Sequence, residues 1–97
     1  MSSDHWLAEA RNVVVLRLLD VALTREEQLR RWTVAEVVSF LKAHDLEGPS
    51  ETLFANGVRG VDLVDMSEAV LTHEFRLSGF AARRVLAARN AFLSERV

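Results

Sequence analysis

No cysteine occurs among the 97 residues of this chain, and proline occurs only once. The first absence excludes disulfides, thiol catalysis and cysteine-ligated zinc. The second, with only four glycines, leaves little room for linkers or disorder, so nearly all of the chain is expected to fold. Charge of one sign is lacking too: the formal balance is −2, which gives no global pull toward nucleic acid or an anionic surface. Long apolar runs are also missing. The most apolar segment, Val13 to Leu23, is about half a bilayer span and contains Arg17 and Asp20, so it reads as core or interface and no membrane partner is expected. The opening Met1-Ser2-Ser3-Asp4-His5 lacks the basic start of a secretory signal, and serine stands at position 2 where myristoylation needs glycine. The expectation is an intracellular protein, cytoplasmic or nuclear.

What is present is helical patterning. Asp4 is placed to cap a helix from about His5 to Leu23, whose residues Trp6, Ala10, Val13, Val14 and Val21 share one arc. Leu16, Leu19 and Leu23 form a second apolar stripe on that helix. Two stripes need two partners, either neighbouring helices of the same chain or a second molecule, so these three leucines are candidates for self-association. Thr24-Arg25-Glu26-Glu27 and Thr33-Val34-Ala35-Glu36 both have capping-box spacing, which predicts helix starts at each and breaks near Leu23 and Trp32.

Beyond Thr33, residues Val34, Val37, Val38 and Leu41 fall within about 100° of arc and predict a buried helix face, with Phe40 on its flank. Gly48-Pro49-Ser50 is turn chemistry, with Pro49 or Ser50 suited to begin a short helix through Leu53 to Ala55 that ends at Asn56-Gly57. Gly60 precedes a brief apolar turn, Leu63-Val64-Asp65-Met66. Ser67 then caps a helix holding Val70, Leu71 and Phe75, and Ser78-Gly79 introduces the last helix. On that helix Val85, Leu86, Phe92 and Leu93 lie within about 120°, while Arg83, Arg84, Ala87, Asn90 and Ala91 face away. Arg89 falls in the apolar arc, which predicts a buried stem with its guanidinium paired or reaching to solvent.

Catalytic and metal constellations are absent from the pattern. His5, His44 and His73 lie apart with no ligand-like spacing; Ser78-Gly79 is not a nucleophile elbow; Asp62, Asp65 and Glu68 lack the twelve-residue calcium loop. No enzyme activity, metal or cofactor is expected.

From Trp32 to Val97 the order of landmarks resembles a sterile alpha motif domain. These are tryptophan, a capped amphipathic helix, Leu46, Leu53, Val58-Arg59-Gly60, Leu63-Val64-Asp65-Met66 and a long helix containing Arg83-Arg84-Val85-Leu86. The resemblance implies an all-α fold, a five-helix bundle over residues 32–97, with residues 1–31 as an N-terminal helical extension that packs on the bundle or mediates self-association. Pro49 stands where many relatives carry an aromatic, Ala81 where glycine is common, and Leu71 to Phe75 is one residue longer. Arg76 stands at the usual glycine after the fourth helix, where it either takes a positive φ or extends the helix.

The resemblance further implies a non-catalytic protein-interaction and oligomerisation module, associating with itself or with another such domain. Its end-helix surface maps to Gly79, Phe80, Ala81, Ala82, Arg83 and Arg84. Its mid-loop surface maps to Glu51, Asp62, Leu63, Asp65 and Glu68. The two are opposite in charge, as steering and register between partners require. Two alternatives remain: dimerisation through Leu16, Leu19 and Leu23, and RNA-hairpin binding by Arg76, Arg83, Arg84 and Arg89. Residues 32–97 carry seven Lys or Arg against nine Asp or Glu, a balance that disfavours RNA.

Overall fold

Hydroxyl side chains set where helices begin. In the computed structural model, which describes residues 23–95, Thr24 accepts a hydrogen bond from the Glu27 N–H at 3.1 Å and opens α1, Arg25–Arg30. Thr33 accepts from the Glu36 N–H while the Glu36 carboxylate accepts from the Thr33 N–H, a complete capping box at the head of α2, Val34–Ala43. Thr24 completes only half of its box, because its hydroxyl donates to the Glu27 carboxylate. α3 spans Glu47–Ala55, α4 spans Gly60–Val64, a π-helical turn spans Val70–Glu74, and α5 spans Gly79–Ser94. Ser78 caps α5 by accepting from the Ala81 N–H at 3.0 Å. The described residues are all-α, without strands.

Two starts differ from the sequence reading. α3 begins at Glu47, ahead of Pro49 and Ser50; its N-cap, Leu46, offers no side-chain acceptor, so nothing local announced it. Pro49 lies in the first turn, where a missing N–H breaks no intrahelical bond. Gly60 is the first residue of α4, and the helix stops at Val64 before the rest of the apolar turn. The segment after Ser67 closes as a π turn, with the Phe75 N–H donating to the Val70 carbonyl at 3.3 Å. The predicted helix from His5 and its residues Leu16 and Leu19 lie outside the described residues. Leu23 is half-buried, and its carbonyl accepts from Gln28 Nε2.

The helices close on a single apolar cluster. Leu29, Val37, Leu41, Leu53, Leu63, Leu71 and Val85 are all but sealed from solvent, and Trp32, Phe40 and Phe92 pack on them with ring centroids 4.8–6.0 Å apart. α2 packs most extensively on α3, and α1 on α4. α1 is tied down at three points. Leu29 is buried, Arg25 lies over the Phe92 ring and reaches Glu95 at 3.2 Å, and Arg30 reaches Asp65 at 3.6 Å.

Three helix ends reverse through left-handed residues, and only one is glycine: Asp45 (φ 59°), Gly57 (φ 65°) and Arg76 (φ 59°). At the first two the following N–H returns to a carbonyl five residues back, Leu46 to Leu41 and Val58 to Leu53. Aspartate tolerates this region through its short polar side chain, whereas arginine meets the full Cβ penalty. Arg76 thus takes the positive φ that was one of the two alternatives open to it. Arg76→Gly is expected to stabilise the fold by about 1 kcal/mol and to raise the melting temperature by roughly 4–8 °C. Thermal melts followed by circular dichroism check this.

Candidate interaction surfaces

The start of α5 is built by its cap. Ser78 fixes the first turn, so Phe80 projects outward with 67% of its surface exposed, against zero for Ala82 two residues on. Arg84, one turn later, holds its guanidinium 5.8 Å from the Phe80 ring centroid. Gly79 and Ala81 are half-buried beneath them. Arg83 turns the other way, and its Nη1 lies 3.3 Å from the Glu68 carboxylate. Of the six residues expected here, Phe80, Arg83 and Arg84 are therefore outward-facing, while Ala82 belongs to the core and supports the turn from below.

The acidic set is spread over α3, α4 and the approach to the π turn. Asp62, Asp65, Glu68 and Glu51 are exposed, but Leu63 is fully buried and contributes packing rather than surface. Three of the four carboxylates already face an arginine of the same chain. Asp62 lies 3.9 Å from Arg59 and also accepts from the Arg59 N–H at 3.0 Å, which holds the N-terminus of α4. Asp65 faces Arg30, and Glu68 faces Arg83. The cationic and anionic residues thus meet within one molecule at Glu68 and Arg83. Both side chains remain about half exposed, 48% and 64%, so this pair contributes little to stability.

Sequence pattern alone missed a groove between α2 and α3. Val38, Lys42, Ser50, Glu51 and Phe54 enclose about 250 Å³, and Phe54 stands on it 63% exposed. Val38, expected on the buried face of α2, is only half-buried and borders this groove, and Phe54 was the one large apolar side chain of α3 not assigned to the core. A second hollow of about 300 Å³ runs along α5, lined by His44, Leu46, Arg84, Ala87, Ala88 and Ala91.

Arg89 extends from α5 into the fold. Burial lowers its pKa and the nearby Asp65 carboxylate raises it in part. It reaches from α5 to the Leu63 and Met66 carbonyls, so it is committed to the fold. His44 stacks on Phe40 at 4.6 Å. Among the described residues, no group of three or more potential ligands is arranged to hold a metal ion. No described helix is long and apolar enough to cross a membrane. Comparison of the chain with known protein families, curated proteins and solved structures returns no match.

Proposed function

We propose that residues 32–97 form a sterile alpha motif bundle acting as a non-catalytic protein-interaction and oligomerisation module, with the start of α5 as its adhesive face. The observation that carries this reading is Phe80, a large apolar side chain exposed on a firmly capped helix end with the Arg84 guanidinium beside its ring. An aromatic anchor beside an arginine is the composition of interface hot spots. The helix order over residues 34–94 and the positive φ of Arg76, at the position of a family glycine, are consistent with the same bundle. The π turn at Val70–Glu74 closes five residues apart instead of four, which accommodates the extra residue between Leu71 and Phe75.

Protein is favoured over RNA as the partner because two of the four candidate arginines are engaged internally, Arg83 by Glu68 and Arg89 by backbone carbonyls. The test is sedimentation of the whole chain across concentration at low and high salt. Self-association that weakens with salt, and is lost in Phe80→Ser with Arg84→Glu, is the expected result. A wild-type chain that stays monomeric to millimolar concentration at low salt removes the homotypic form of the reading.

A further inference from the structure

We infer that the surface receiving Phe80 is the α2–α3 groove around Phe54 on a second copy of this chain, rather than the Asp62–Asp65–Glu68 carboxylates. This rests on the proposed role of the α5 start as an adhesive face, and it assigns that face its counterpart. Three observations converge on it.

The first is the pairing of charges. Asp62, Asp65 and Glu68 each face an arginine of their own chain, at 3.9, 3.6 and 3.3 Å. Glu51 alone of the nominated carboxylates forms no ion pair among the described residues, although Lys42 lines the same groove. On the other side Arg83 is taken by Glu68, and Arg84, which lies over the Phe80 ring, has no carboxylate partner among the described residues. Within the two nominated surfaces, the charges left without an ion pair are therefore Arg84 beside the exposed ring and Glu51 on the groove wall, one of each sign.

The second is shape. The groove encloses about 250 Å³, and its lining of Val38, Ser50, Phe54 and the Lys42 stem accommodates a single aromatic ring. No residue of α5 lines it, and Phe80 is too exposed to be seated anywhere in its own molecule. The third is that Phe54 and Phe80 are the two large aromatics left exposed among the described residues, at 63% and 67%. Covering each with the other removes both from water and allows the offset or tilted contact that aromatic pairs favour.

The two patches differ, so the contact is heterologous: each copy offers a ring at one place and a groove at another. Repetition then yields a ring of subunits or an open filament rather than a closed two-fold dimer. Lys42, on the groove wall, carries the same sign as the incoming Arg84 and sets a like charge against it. Its reversal therefore has the opposite effect to that of Glu51.

The experiment uses full-length chains and analytical sedimentation at low salt. Phe80→Ser alone, and Glu51→Lys with Phe54→Ser alone, should each weaken association at least about thirty-fold. Because each retains the half the other lost, mixing them should give a 1:1 complex that does not grow further. Lys42→Glu should tighten association about three- to ten-fold, an advantage that fades with salt. If Phe80→Ser is monomeric but the groove variant still assembles, while Asp62→Lys with Asp65→Lys does not, the groove assignment is overturned and the role of the α5 start survives. If the groove variant lowers the melting temperature of the monomer and leaves assembly unchanged, the groove is covered within the chain and the assignment fails. If neither variant alters sedimentation, both the assignment and the reading beneath it fail.

Discussion

Gly60→Ala is expected to destabilise the fold by about 3 kcal/mol or more, lowering the melting temperature by roughly 12–24 °C. A Cβ at this position would lie 1.7 Å from the Leu29 carbonyl oxygen, 2.9 Å from its carbonyl carbon and 2.8 Å from Trp32 Cβ. The first two are backbone atoms, and the third is fixed to the backbone, so no side-chain rotation relieves the overlap. The Gly60 N–H also donates to the Trp32 carbonyl at 2.9 Å, which holds α4 close to the end of α1. Relief requires the two helices to part. Separation exposes Leu29 and stretches the Arg30–Asp65 pair. Because the obstacle is backbone, neither Leu29→Ala nor Trp32→Ala in the same chain should rescue the variant. Gly48→Ala is the control: a Cβ there meets nothing within 4 Å, and alanine in a helix should stabilise by up to about 1 kcal/mol. A Gly60→Ala protein melting within about 2 °C of the wild type would show that α1 is not held against α4 in this way.

Gly60 also marks the boundary of what could be read in advance. Features closed by residues three or four apart were legible, because both partners stand in the same short window. Thr33 with Glu36, Ser67 with Val70 and Ser78 with Ala81 all form the bonds their spacing predicts. The core faces were legible in part for the same reason: Val37 and Leu41 on α2, and Val85 on α5, are buried as their periodicity requires, whereas Val34, Val38, Leu86, Phe92 and Leu93 of the same arcs are only half-buried at the rim of the core. Features that depend on distant residues were not. The start of α3 is fixed by packing rather than by a cap, since Leu46 has no side-chain acceptor. The carboxylates of the acidic face were legible as exposed, but their engagement by Arg30 and Arg83, 35 and 15 residues away along the chain, was not. An unpaired charge such as Glu51 becomes visible only once every other pairing is known.

Arg89→Met should cost about 2–3 kcal/mol, a fall of roughly 10–20 °C in melting temperature, even though methionine keeps the flexible apolar stem. Arg89 Nη1 donates to the Leu63 carbonyl at 3.2 Å and to the Met66 carbonyl, while Nε and Nη2 donate to Asn90 Oδ1 at 3.0 and 2.9 Å. Leu63 and Met66 flank the C-terminal end of α4, where carbonyls lack intrahelical donors and a cation is electrostatically favoured. One side chain thus caps α4 from α5. Burial works against the charged guanidinium and Asp65 works for it, but arginine does not lose its proton at any pH where the fold would be assayed, so the loss should be flat between about pH 6 and 9. Arg89→Lys keeps the charge and loses the fork, and should fall between the two, near 1–2 kcal/mol. The ordering wild type, Lys, Met separates the capping role from simple packing. If Met equals or exceeds wild type, the stem alone accounts for Arg89, and α4 must find its C-terminal donors elsewhere.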